Sequence, residues 1–425
     1  MRKIYLSVVC LTLLSSCSDK KPLEGKRESI FSSGTQKEKA NIEVELSNPT
    51  EILSMENFGF SKTRLVPHGI LGENIAPSKE IHLNFYTGLD ILSPPLVVQD
   101  EIFVLGSGDV LKVYDFNSGE KLWELKLLDA GREDADGFFG GGMAYDKGHL
   151  YIATSLGELV SISLATKTIV WKKQLSGVAR GAPVVEQDIV SVVTENNRTS
   201  SYSTQNGQAI WAHEGIPESA SVALPVSPAS NGPVIVIPYS SGELVALKSK
   251  NGSFLWSKTL GESKGALAKI FPHVTANPVI KGDFVYAGSL NNQFAKISLK
   301  TGLSLWDAKI GAMGLPIISG NTIFLTTSKR SVVALSESTG KIIWETQLPE
   351  TNPELFDKFI HWSPPALGGG KLYVAGTTGE LFVLSPKTGE IVEKIDLPGI
   401  VSVQPIVVKN TLLMITQDGQ LLMYR

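Results

Sequence analysis

The chain has 425 residues, 42% of them hydrophobic and 19% charged, with a formal net charge of −3 and a pI near 6.1. This composition is globular and offers no basic field, so binding to nucleic acid is excluded as a driving interaction. The six histidines lie scattered at 68, 82, 149, 213, 273 and 361 with no short-spaced ligand pair, so neither a metal site nor a cofactor is expected.

The first element in chain order is a targeting segment. Arg2 and Lys3 precede an apolar stretch from Ile4 to Leu14, 11 residues long. A bilayer span needs about 20. The run Leu14-Ser15-Ser16-Cys17 resembles the lipobox of bacterial lipoproteins. That resemblance implies a signal peptide over 1–16 and lipidation at Cys17, which anchors the mature chain to a membrane; an ordinary secretory signal with an incidental cysteine is the alternative. Ser18 rather than aspartate follows Cys17, which implies the outer membrane, on its periplasmic side. The other cysteine, Cys10, lies inside the signal, so the mature chain has no disulfide. Without Arg2 and Lys3 the 39 basic residues become 37 against 42 acidic ones, a net of −5.

Residues 18 to about 45 are polar and charged with few large apolar side chains, the composition of a disordered tether. With the poorly patterned stretch that follows, the tether is expected over 17–78. A flexible chain of that length spans roughly 40–45 Å root-mean-square. In the alternative, residues 50–78 pack against the outside of the folded domain through Phe58, Phe60 and Leu65.

From 79 to 425 one pattern recurs: glycine, three residues, tryptophan. It stands at Gly119/Trp123, Gly207/Trp211, Gly252/Trp256, Gly302/Trp306 and Gly340/Trp344, with Lys167/Trp171 lacking the glycine and Gly389/Glu393 lacking the tryptophan. The tryptophans are 48, 40, 45, 50 and 38 residues apart. Short β-branched and aromatic runs separated by Gly and Asx turns fill each interval, four to a unit. A period near 40–45 residues of this kind predicts an all-β propeller. The count predicts eight four-stranded antiparallel blades, or seven if the last unit packs differently. The last unit supplies three strands before Arg425, so the segment Ile81–Tyr86 is expected to complete it and close the ring. Trp123, Trp171, Trp211, Trp256, Trp306 and Trp344 are read as inter-blade packing, since one aromatic per blade at one position suits a fastener better than a ligand cage. The glycine supplies a turn with φ > 0. Lys167 breaks that pattern and is expected to use a different turn type.

Units such as Ala334-Leu335-Ser336-Glu337-Ser338-Thr339-Gly340-Lys341-Ile342-Ile343-Trp344 resemble the repeat of pyrroloquinoline-quinone-like propellers, a group holding both dehydrogenases and scaffolds. The lipobox, the tether, the propeller and the run from Gly140-Gly141-Gly142 through Gly148-His149-Leu150-Tyr151-Ile152 to Pro183-Val184-Val185 resemble the BamB family, the lipoprotein subunits of the outer-membrane β-barrel assembly machinery. The resemblance covers about 80–425. It implies a propeller monomeric by itself that docks on a periplasmic domain of BamA, within the Bam complex, and assists unfolded outer-membrane proteins. It also implies partner-binding positions. Ser219-Ala220-Ser221-Val222-Ala223 stands where the family has S-L-S-L-R, so Ala220, Val222 and Ala223 replace its leucines and arginine. Arg180 lies in the preceding loop, and His273-Val274-Thr275 stands where the family has D-V-D, placing His273 and Thr275 at the two acidic positions.

The enzymatic alternative is a quinone-dependent dehydrogenase. It needs a carboxylate base and calcium, and no such constellation is evident. Glu133-Asp134 with Asp136 reads as a solvated acidic insertion rather than a calcium loop. No enzyme activity is therefore expected. A sugar- or peptidoglycan-binding propeller would need aromatics and carboxylates clustered on one face, which the sequence does not offer. A scaffold needs only surface. The loops 176–183, 214–225 and 261–277 are expected on one face, with Ile216, Val222, Leu224, Leu267, Ile270 and Phe271 as an apolar anchor beside Arg180, and Phe138-Phe139 as a second patch.

Overall fold

The computed structural model describes residues 40–84, 93–128, 141–217, 225–261, 273–349 and 360–425. The signal peptide, Cys17 and the tether up to residue 39 lie outside them. The described residues form 32 strands and one short 3₁₀ turn, Ser107–Asp109. They fall into eight antiparallel four-stranded meanders: blade 1 (96–126), blade 2 (142–174), blade 3 (184–214), blade 4 (229–259), blade 5 (274–308), blade 6 (312–347), blade 7 (366–396) and blade 8 (406–424 with 77–82). Blades 5 and 6 join into one sheet through a single parallel bridge, Ala276 to Gly314.

Within a blade the burial follows the pattern of apolar residues. In blade 1 the inner strand Leu96–Val98 is wholly buried, whereas the outer strand Lys121–Lys126 alternates exposed and half-buried. The core is divided among eight apolar clusters, each shared by two consecutive blades. The eighth brings Val97, Ile102 and Val104 of blade 1 against Ile406, Leu413 and Ile415 of blade 8, so the ring is closed.

Closure uses the N-terminal strand. Pro77–His82 pairs antiparallel with Gln420–Tyr424, Ile81 opposite Leu421 and Pro77 opposite Tyr424. The strand lies earlier than the expected Ile81–Tyr86. Its register is set by Ile81, which enters the cluster between blades 8 and 1 together with Leu83.

The Gly–Trp repeat is one clasp used again and again. Gly207, Gly252, Gly302, Gly340 and Gly389 have φ between +68° and +76°. Each lies against the tryptophan ring of the preceding blade, respectively Trp171, Trp211, Trp256, Trp306 and Trp344; a Cβ added at these glycines would stand 2.4–2.8 Å from the nearest ring atom. Each of those indoles also donates its Nε1–H to the carbonyl three residues before the glycine: Thr204, Ser249, Leu299, Glu337 and Pro386, at 2.7–3.0 Å. Glycine is thus required twice, for the left-handed turn and for close approach to the ring. Lys167 departs from expectation: it makes the same turn, with φ +56° and its N–H donated to Ser163 O at 2.8 Å. A lysine tolerates that conformation at roughly 1–2 kcal/mol, and its ammonium lies 5.7 Å from the centre of the Trp123 ring, where the other copies have no side chain. The Trp123 Nε1 is buried without a hydrogen-bond partner.

The tether expected up to residue 78 is not extended over its last part. Residues 40–76 cross one end of the ring and meet all eight blades there, mostly at inner strands and the turns that follow them. Ala40 donates to Ile342 O, and Glu45 and Ser47 bond to Asn321 and Ser319, all of blade 6. Lys409 of blade 8 donates to Ile52 O, Met55 exchanges bonds with Val97 of blade 1, and Tyr145 of blade 2 donates to Glu56 O. Ser230 of blade 4 and Ile280 of blade 5 donate to the carbonyls of Lys62 and Thr63. Gly69 donates to Leu367 O and His68 accepts from Gly370 N, both of blade 7. Val44, Ile52, Met55, Leu71 and Ile75 are buried there. The packing alternative for this stretch is the one the structure adopts, although across the end of the ring rather than on its rim.

Candidate functional site: the two ends of the ring

Antiparallel alternation sorts the connections. Links from an outer strand to the next blade's inner strand emerge at one end, and the turns after each inner strand at the other. Loop 176–183 and the described residues flanking 218–224 and 262–272 belong to the first end; residues 40–76 cross the second.

At the first end, residues 218–224 and 262–272 lie outside the described residues, and with them Ala220, Val222, Ala223, Leu224, Leu267, Ile270 and Phe271. The same holds for Glu133, Asp134, Asp136, Phe138 and Phe139. Ile216 is described and is 56% exposed, its carbonyl held at 2.7 Å by Asn197 Nδ2. Arg180, His273 and Thr275 were expected to face a partner; all three are buried. Arg180 donates from Nη1 to Pro238 O at 3.2 Å, tying blade 3 to blade 4, while its Nη2 is buried without a partner. Burial lowers its pKa to about 10. His273 is held down to about 4, by burial first and by the Arg180 charge second. Thr275 donates its hydroxyl to Ala312 O at 2.6 Å, across the junction of blades 5 and 6. These side chains therefore set the shape of this end from beneath.

Sequence reading missed a neighbouring network. Tyr239 shares hydrogen bonds with Thr199 at 2.8 Å and His213 Nδ1 at 2.9 Å, and its ring stacks on the His213 imidazole at 5.9 Å. Burial raises the Tyr239 phenol and lowers His213, so both stay neutral at physiological pH. Thr199 and His213 stand on neighbouring strands of blade 3 and Tyr239 just past the second strand of blade 4, and together they carry no motif.

At the second end the missed residue is Arg64. It is fully buried with φ +61°. Its Nε donates to Pro228 O of blade 4 at 3.0 Å, Nη2 reaches Pro183 O of blade 3 at 3.5 Å, and Nη1 bonds to Phe58 O. Desolvation lowers its pKa to about 9. A buried guanidinium met only by carbonyls is costly to desolvate and is retained because those donors are satisfied. Beside it an open cleft of about 530 Å³ lies between residues 54–63 and the inner turns of blades 3 and 4. Among the described residues no group of three His, Cys, Asp or Glu could hold a metal ion, and no helix is long and apolar enough to cross a membrane.

Comparison with known proteins places this architecture. The family model described as outer membrane protein assembly factor BamB matches residues 106–346 and 328–425. BamB of Shigella dysenteriae is 23% identical over 346 residues, covering 79% of this chain and 84% of that protein. BamB of Legionella pneumophila is 28% identical over 200 residues, covering 45% and 50%. The crystal structure of BamB from Moraxella catarrhalis superposes with a TM-score of 0.69 at 18% identity, covering 83% of this chain and all of that one. A quinohemoprotein alcohol dehydrogenase from Comamonas testosteroni shares the fold at a TM-score of 0.67 and 12% identity, covering 89% and 81%. Since the family model spans most of the propeller, the chain belongs to the BamB family of outer membrane protein assembly factors.

Proposed function

We propose that this chain is a non-enzymatic scaffold of outer-membrane protein assembly, anchored through a lipidated Cys17 on the periplasmic side of the outer membrane. It docks on the periplasmic part of the barrel-forming subunit BamA and supports the insertion of unfolded outer-membrane proteins. The match of the BamB model along 106–425 carries this reading. The geometry supports it: the chain's own residues 40–76 occupy one end of the ring, which leaves the end bearing loops 176–183, 214–225 and 261–277 for a partner. Ile216 is exposed there. Arg180, His273 and Thr275 act on docking by holding the inner ends of blades 3 to 6, not by contact.

A quinone-dependent dehydrogenase is the less favoured reading. Gln404 bridges Leu315 O and Pro365 O inside the ring, at 3.4 and 2.7 Å, and Arg64 fills the interior from the crossed end. The test is affinity purification of the intact lipoprotein from detergent-solubilised outer membrane. Co-purification of barrel-assembly subunits is expected; their absence overturns the docking role. A Cys17→Ala chain is expected in the soluble periplasmic fraction, and membrane retention would overturn the anchor.

A further inference from the structure

The cleft at the crossed end has a chemistry that the scaffold role does not use. One wall is the crossing segment, with Glu56, Asn57, Phe60 and Lys62; the other is blade 3 and blade 4, with Glu186 and Ser230. Two of its polar side chains, Glu56 and Glu186, are acceptors only. Glu56 is exposed. Glu186 takes one hydrogen bond from Ser230 Oγ at 3.2 Å and one from Gln187 N at 3.2 Å, leaving further lone pairs open. Lys62, the cation of the cleft, is engaged with Asp146 of blade 2 at 3.2 Å. Formal charges on these four groups sum to −2. Asn57 is 3% exposed, yet its Oδ1 is buried with no hydrogen-bond partner. A buried acceptor left unpaired costs roughly 1–3 kcal/mol, so a donor brought to this wall of the cleft would relieve it. Phe60 adds a half-buried aromatic ring to the same cleft and holds φ +73°, a conformation a bulky residue adopts only when its surroundings impose it.

We propose that this cleft binds an organic cation, a guanidinium or primary ammonium group. Such a group brings several donors and a positive charge, the two things Glu56, Glu186 and Asn57 lack, and it stacks favourably on an aromatic face. A volume of about 530 Å³ is within the range of small-ligand pockets and larger than a single side chain needs. The cation comes either from a basic residue of an extended peptide or from a free polyamine. The site lies at the end of the ring opposite the proposed docking loops, so it stands or falls independently of that reading.

The test is isothermal titration calorimetry of the full-length protein in low-salt buffer. The probes are an acetylated, amidated arginine tripeptide, its citrulline counterpart and spermidine. Saturable binding of the arginine peptide or of spermidine is expected, with the citrulline peptide at least about tenfold weaker than the arginine one if the peptide is the ligand. The double substitution Glu56→Gln, Glu186→Gln is expected to weaken binding by about tenfold or more, since each charged hydrogen bond is worth about 1.5–3 kcal/mol. Its thermal midpoint, measured alongside, is expected to stay within a few degrees of the parent. Tighter binding of the peptide names a polypeptide ligand, and tighter binding of spermidine a polyamine. Absence of saturable binding, equal affinity for the citrulline peptide and the arginine one, or unchanged affinity in the double variant would each overturn the proposal.

Discussion

Two devices hold the ring, and they differ in kind. Between blades, the same clasp recurs: a tryptophan ring lies against the next blade's glycine and its N–H reaches the carbonyl three residues earlier. Across one end, a single segment, residues 40–76, touches every blade. The clasp is redundant, local and tolerant, as Lys167 shows by replacing the glycine with its turn intact. The crossing has no second copy, and its hydrogen bonds to the blades join residues as much as 302 positions apart. Repetition spreads a load over many equal points, whereas the crossing links blades that the clasps never bring together.

The sharpest way to break this comparison is to remove residues 40–76 while keeping Pro77–His82. Five buried apolar side chains, Val44, Ile52, Met55, Leu71 and Ile75, leave with them. At about 1.5–3 kcal/mol each, the loss is on the order of 10 kcal/mol before relaxation. Chemical denaturation should show it as a lowered midpoint or as a separate early transition, and an unchanged curve would mean that the crossing is ornamental. Next in size, Trp256→Ala empties one clasp and should cost about 3–5 kcal/mol in the same measurement. Gly302→Ala attacks that clasp from the other side. A Cβ there would stand 2.8 Å from the Trp256 ring, at φ +73°. A loss of about 1–3 kcal/mol is expected, and less than 0.5 kcal/mol would show that the ring yields freely. The smallest effect belongs to Lys167→Gly. It relieves a left-handed lysine but loses the cation held over Trp123, so the thermal midpoint should move by no more than a few degrees. A large drop would make Lys167 a fastener in its own right.

The two devices were also unequally legible in the sequence. The clasp announces itself, because seven units repeat the same turn and six of them the same aromatic, and from it follow the blades, their order and the need for a closing strand. Where the closing strand begins was harder to read: Ile81 fits either register, and only its packing between blades 8 and 1 decides. The crossing segment leaves no such trace. It forms isolated bridges rather than strands, so no period of two or of 3.6 marks its buried residues. Arg64 reads as a surface residue, since arginine is buried only when its donors are met, and the carbonyls that meet them belong to Phe58, Pro183 and Pro228. Arg180 and His273 show the opposite contrast. They sit in loops by sequence, and loops are expected at the surface, yet these two side chains turn inward.

The closing strand has a consequence for how the molecule comes into being. Ser78 bonds to Met423, 345 residues further on. A chain that emerges N-terminus first carries this strand long before its neighbour appears. Until then Pro77–His82 has no strand to join, and the crossing segment has no complete ring to span. The entropic toll of so long a loop is modest, since each doubling of length adds only about 0.6 kcal/mol. The delay is the larger matter: contacts this distant form slowly, and unpaired edges remain open to the wrong neighbour meanwhile. Loss of Gln420–Tyr424 would therefore be felt first at Pro77–His82.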